Sequence, residues 1–135
     1  MAVQFSVAVG NARLDAIEAT IGTSPILEIR TGSKPATCAT ADSGTVLATL
    51  TLPSDWLGAA SSRTKSLAGT WEDTVADASG TAAHFRIKDS GGSTCHLQGT
   101  VTSSSGSGDI TLSSASIVTG QPVSITGFTL SDGNA

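Results

Sequence analysis

Two alternating segments on either side of a Gly-Gly turn constrain this chain most. Ala83, Phe85 and Ile87 alternate with His84, Arg86 and Lys88. Asp89-Ser90-Gly91-Gly92 follows. Cys95, Leu97 and Val101 then alternate with His96, Gln98 and Thr100, with Gly99 between them. A period of two is the spacing of a pleated strand, because successive side chains leave opposite faces. Glycine accepts the positive φ that hairpin loops require. The pattern predicts a β-hairpin, which needs further strands to bury its apolar face.

Those strands are present in the sequence. From Ile26 to Thr31, Leu27 and Ile29 face one way, Glu28 and Arg30 the other. Thr45 to Leu52 places Val46, Ala48, Leu50 and Leu52 on one face and mainly Thr on the other, until Pro53 stops it. Leu67 to Trp71 reads as a short strand or edge. Asp109 to Ser113 and Ser116 to Val118 read as short strands after a flexible Ser/Gly turn, Ser103 to Gly108. In the closing segment, Gln121 to Leu130, the apolar parity shifts from Val123 and Ile125 to Phe128 and Leu130. Gly127 lies at the shift, which predicts a β-bulge. The Gly-, Pro-, Ser- and Thr-rich segment from Gly32 to Gly44 reads as a loop, and Asp55-Trp56-Leu57 opens an irregular stretch.

The first 22 residues differ. Phe5, Val9, Ala12, Ala16 or Ile17, and Ile21 recur at three or four residues, a helical spacing. Ser6 or Asn11 could cap the start, and Gly22 fits the left-handed position that ends a helix. The favoured reading is a helix from residue 11 onward. Residues 3 to 9 stay open, since Val3, Phe5, Val7 and Val9 also alternate as a strand would. The expected fold is mainly β: an antiparallel β-sandwich or jelly roll with one N-terminal α-helix. Residues 1–135 read as one domain, with an arm and helix over 1–22 and a β-rich body over 25–131.

Composition narrows the function. Charged residues make up 13% of the chain, about half the usual quarter, and the net charge is −4. A surface of Ser, Thr and Ala suits a protein that packs against neighbours or works outside the cell. The basic residues are scattered and no stripe of Lys and Arg interleaves with aromatics, so a nucleic-acid footprint is not expected. No apolar run approaches the roughly 20 residues that span a bilayer. Met1 to Phe5 lacks the basic and long apolar regions of a signal peptide, so the expectation is a chain made and kept in the cytoplasm until something releases it.

Candidate chemistry is sparse. Cys38 and Cys95 form no CxxC motif, and with two histidines they complete no zinc site at standard spacing. They read either as two half-buried thiols or as a disulfide tying a loop to a strand. Thr81-Ala82-Ala83-His84 and Asp89-Ser90-Gly91-Gly92 resemble the peptides around the histidine and serine of trypsin-like proteases. Only a short hairpin separates them here, and it supplies neither an orienting third group nor an oxyanion hole. Glu72, Asp73 and Asp77 read as a solvated loop, or as a weak cation site or docking patch. His84 and His96 fall on polar faces as potential cross-strand neighbours, with surface positions the default. Trp56 and Trp71 read as core or interface, and Phe5 and Val9 as interface. No catalytic residue, cofactor or metal is expected.

Several runs together resemble small proteins of tailed-phage and prophage structural gene clusters. They are Asn11-Ala12-Arg13-Leu14-Asp15-Ala16-Ile17-Glu18, Leu27-Glu28-Ile29-Arg30-Thr31-Gly32 with Pro35-Ala36, and Phe85-Arg86-Ile87-Lys88-Asp89 with Gln98-Gly99-Thr100-Val101. The ending Gly120-Gln121-Pro122-Val123-Ser124-Ile125-Thr126-Gly127-Phe128 completes the set. The resemblance implies a virion component encoded near head genes, most simply a capsid decoration or cement protein. Its implied partners are the major capsid protein and neighbouring copies of itself, as a homo-oligomer (dimer or trimer). A head-fibre, neck or tail accessory domain that touches the host surface is the implied alternative.

Overall fold

In the computed structural model, which describes residues 3–133, the chain opens with helix α1, Val7–Ile21. Ser6 caps it: the Ser6 hydroxyl accepts a hydrogen bond from the Val9 N–H at 3.2 Å. Gly22, at φ 93°, ends it. The helix therefore starts at Val7 rather than near Asn11, and residues 7–9 are not a strand. Of the two candidate caps, Ser6 takes the role. Asn11 lies inside the helix and uses its side-chain oxygen to accept from the Arg63 N–H at 2.9 Å.

Eleven strands follow among the described residues: β1 Ile26–Arg30, β2 Val46–Thr51, β3 Thr64–Ser66, β4 Trp71–Asp73, β5 Gly80–Thr81, β6 His84–Lys88, β7 Cys95–Ser103, β8 Ile110–Leu112, β9 Ser116–Ile117, β10 Val123–Ile125 and β11 Thr129–Ser131. Five form one sheet in the order β2-β1-β6-β7-β8. The rest pair as two-stranded ribbons, β10 with β4, β11 with β3, and β5 with β9. The chain is mainly β and sandwich-like, with one helix at the N-terminus.

The sheet's inner face follows the expected alternation. Leu27 and Ile29 on β1, Leu50 on β2, and Phe85 and Ile87 on β6 are buried. They join Val101, Ile110, Val123 and Ile125 in one core. Four rings run through it in series. Trp56 to Trp71 is 5.9 Å between centroids, Trp71 to Phe128 is 5.4 Å and Phe128 to Phe85 is 6.0 Å. Gly99 sits opposite Phe85 in the β6–β7 register. A Cβ there would come within 2.6 Å of the Phe85 ring, so glycine lets that ring lie across the strand.

Three expectations change. The Ser/Gly segment after β7 is not a simple flexible turn: it returns the chain so that β7 and β8 pair in parallel, Val101 with Ile110. Gly106 and Gly108 let the chain curl back against Thr102. The Asp109 carboxylate accepts from the Thr100 N–H at 2.9 Å, standing in for a ladder bond. The closing segment is not one bulged strand either. It breaks after Ile125, and the chain passes from pairing with β4 to pairing with β3. Phe128 turns into the core at the break. Finally, the Leu67 to Trp71 segment separates β3 from β4, with Trp71 beginning β4.

One further turn escaped sequence reading. Ser61 and Thr64 exchange both backbone hydrogen bonds at 2.9 Å. Between them Ser62 and Arg63 both have positive φ, 50° and 62°. That is the primed hairpin turn usually built from Asn-Gly. Non-glycine residues hold this conformation only where their surroundings fix it, and Arg63 is fixed on every side.

Candidate functional site

Arg63 is the anchor of the N-terminus. Its guanidinium donates to the Phe5 carbonyl at 2.8 Å and the Ser6 carbonyl at 3.0 Å. It also pairs with Asp132 at 2.9 Å. Gly10 packs directly against it, and a Cβ there would stand 3.0 Å from the guanidinium. Lys65 does the same one turn further along the helix. Its buried ammonium bonds Asp15 at 2.8 Å, Glu18 at 2.9 Å and the Gly58 carbonyl at 2.9 Å. Helix α1 is thus held by two buried cations as much as by its few buried apolar residues, Leu14 and Ile21.

This polar grip leaves an apolar surface outward. Six large apolar side chains are exposed among the described residues, and four are Val3, Phe5, Val7 and Val9. Phe5 is 36% exposed and Val9 43%. The Arg13 guanidinium lies 4.9 Å from the centre of the Phe5 ring and pairs with Asp132 at 3.3 Å. Phe5 and Val9 are therefore surface residues. Trp56 and Trp71 are not. Both are fully buried, and each ring N–H is used internally: Trp56 donates to the Gly22 carbonyl at 3.0 Å, Trp71 to the Ala68 carbonyl at 3.1 Å and the Trp56 carbonyl at 3.2 Å. Of the two readings open for the tryptophans, they take the core.

The sheet's other face carries the second feature. Arg30, His84, Arg86 and Lys88 line it, all buried. The loop from Gly32 to Gly44 covers them. The Asp42 carboxylate is the hub, pairing with Arg86, with Lys88 at 2.7 Å and with Arg30 at 3.1 Å. Glu28 pairs with Arg30 at 3.0 Å and Lys88 at 2.9 Å. Loop carbonyls take further donors: Arg86 bonds the Cys38 carbonyl at 2.8 Å, Gln98 the Pro35 carbonyl at 2.8 Å, and His84 Nδ1 the Gly32 carbonyl at 2.9 Å. The hydrogen bond from Lys88, joined by Arg86 and the nearby Arg30, holds the Asp42 carboxyl below its usual range against the opposing effect of burial.

His84 is consequently interior, not a surface residue. Its partner across β6–β7 is Thr100, not His96. A register shift between Ile87 and Lys88 moves Cys95 opposite Lys88 and leaves His96 in the irregularity. His96 instead borders Arg13, Ile17 and Thr20 of α1. The protease-like peptides are not brought together: Ser90 lies beyond the far end of β6, about 13 Å or more along the strand from His84. Burial, reinforced by the charges of Arg30, Arg86 and Lys34, lowers the His84 pKa against the pull of the Gly32 hydrogen bond. The unfolded chain then binds more protons than the folded one below about pH 6.5. Stability contributed by neutral His84 is full above that pH and is lost as pH falls toward the folded pKa. Denaturant midpoints at pH 7.5 and 5.0 will show a fall that His84→Asn, which keeps a donor toward Gly32, flattens. An equal fall in both chains would contradict this assignment.

Of the acidic residues of the middle segment, Asp73 and Asp77 serve the fold and Glu72 is exposed. Asp73 accepts from the Thr49 N–H at 3.0 Å and the Val75 N–H at 3.0 Å, and Asp77 accepts from the Thr49 hydroxyl at 2.7 Å. Among the described residues no group of three or more His, Cys, Asp or Glu side chains is placed to hold a metal ion. No helix among them is long and apolar enough to cross a membrane. Comparison with known protein families, curated proteins and solved structures finds no match to this chain.

Proposed function

We propose that this chain is a structural protein of a tailed-phage particle, a capsid decoration or cement protein that binds the major capsid protein and stabilises the shell. The resemblance of its helix, strand and closing runs to phage head-cluster proteins supplies the class. The observation that carries the docking element is the exposed apolar set Val3, Phe5, Val7 and Val9, beside the Phe5 and Ser6 carbonyls that Arg63 holds. Covering a large apolar side chain contributes about 1.5–3 kcal/mol when burial is complete. A segment already fixed by hydrogen bonds loses little freedom on docking. Many weak joints of this kind, repeated by capsid symmetry among copies of the chain, add through avidity. A head-fibre, neck or tail accessory role is the second reading, and it uses the same surface at far fewer sites.

Co-sedimentation with purified shells lacking the chain tests the proposal. The parent chain is expected to saturate the shell. The double variant Phe5→Asp, Val9→Asp is expected to lose affinity by about tenfold or more, with its melting temperature within a few degrees of the parent because neither side chain belongs to the core and Phe5 packs on the half-exposed Arg13. Failure of the parent to bind would overturn the decoration role, and undiminished binding of the variant would move the interface off the N-terminus.

A further inference from the structure

The loop over the charged face carries one of the two cysteines, and the register shift in β7 supplies the other. Cys38 and Cys95 line the same surface cavity of about 590 Å³, together with Asp42, Arg86 and Lys88. Both are free thiols and half-buried. Each is held by its backbone surroundings. Cys38 sits in a turn closed by the Thr40 N–H to Thr37 carbonyl bond at 3.1 Å and by the paired Thr37 and Thr40 hydroxyls at 3.0 Å. Its carbonyl takes the Arg86 bond. Cys95 begins β7, opposite Lys88. A regular hairpin would have put Cys95 on the core face beside Leu97. The irregularity between Ile87 and Lys88 turns it to the loop face, where its thiol donates to the Leu97 carbonyl at 3.6 Å and borders the cavity that Cys38 also lines.

We propose that Cys38 and Cys95 are a disulfide-forming pair that a small-molecule disulfide closes, fastening the 32–44 loop to the sheet. The pair does not depend on the phage reading; it requires only the fold. Burial, with the Cys38 thiol beside it, pushes the Cys95 thiol up to about 11 despite the opposing Arg86, so Cys95 stays protonated near neutral pH and reacts second. The Cys38 thiolate attacks the small disulfide, forms a mixed disulfide and expels one thiolate. Cys95 then gives up its proton and attacks the Cys38 sulfur, expelling the second small thiol. Two protein thiols are oxidised by two electrons, and one small disulfide is reduced to two thiols. The closed loop spans residues 38 to 95, long enough for a large constraint on the unfolded chain.

The test is oxidation of the whole purified chain with oxidised glutathione, followed by alkylation under denaturing conditions and intact-mass analysis. The expected product has lost two hydrogens, takes up no alkylating agent, stays monomer-sized on a non-reducing gel and melts about 5–15 °C above the reduced chain. Cys95→Ser is expected to stop at one glutathione adduct on Cys38, and Cys38→Ser to remain largely unmodified. Two free thiols after oxidation, a stable adduct on the parent chain, or covalent dimers would each overturn the proposal.

Discussion

Trp71→Ala will melt about 10–20 °C below the parent chain. Trp71 is one of the two inner rings of the series, touching Trp56 on one side and Phe128 on the other. It is fully buried and its ring N–H bonds two backbone carbonyls. Truncating a buried tryptophan removes transfer free energy and leaves a cavity, at a cost of about 3–5 kcal/mol. It also strips the ring donor from the Ala68 and Trp56 carbonyls, at the point where the irregular 55–70 segment meets the core. For a chain of this length each kcal/mol corresponds to about 3–5 °C. Trp71→Phe keeps most of the volume and should lose less than half as much. Thermal unfolding followed by circular dichroism checks both, with the buried Trp56 as a fluorescent reporter. A loss of only a few degrees in Trp71→Ala would show that the ring series does not hold the core together.

Asp42→Ala has the second-largest expected effect, a loss of about 2–3 kcal/mol. Removing one partner of a buried ion pair costs about 3–5 kcal/mol because the other charge is left unpaired. Here the three cations are buried but the Asp42 side chain is 35% exposed, so water recovers part of that cost. Glu28 remains to serve Arg30 and Lys88, whereas Arg86 loses its carboxylate partner. The double variant Asp42→Ala, Arg86→Met should therefore be more stable than Asp42→Ala alone. Acid should act in the same direction as the mutation. The Asp42 carboxyl is held low, so its contribution is present above about pH 4 and lost as pH falls through its folded value. Hydrogen exchange of the Thr37–Gly44 amides reports the local effect. Unchanged protection there in Asp42→Ala would mean that the charged hub does not hold the loop.

How far the sequence speaks depends on the residue. The alternation in β1, β2 and β6 is legible because every second side chain meets the core. The start of α1 is not, because the helix is held by Arg63 and Lys65 rather than by an apolar stripe, and Gly10 lowers its propensity where close contact requires glycine. The charged layer was missed for a different reason. A loop rich in Gly, Pro, Ser and Thr reads as solvated, yet this one bonds sheet cations through its carbonyls and Asp42. A signal existed: Arg30, Arg86 and Lys88 are three of only seven Lys and Arg residues, and they recur on neighbouring strands. The place of Cys95 depends on a single register shift, which alternation cannot show. Phe5 and Val9 were legible as surface candidates, whereas Trp56 and Trp71 needed the fold to place them.

The proposed role as a coat of a phage shell is decided by copy number, which quantitative mass spectrometry of purified particles reads. A decoration protein will be present in hundreds of copies per particle, scaling with the major capsid protein. A particle without the chain, or with only a dozen or so copies, would contradict it.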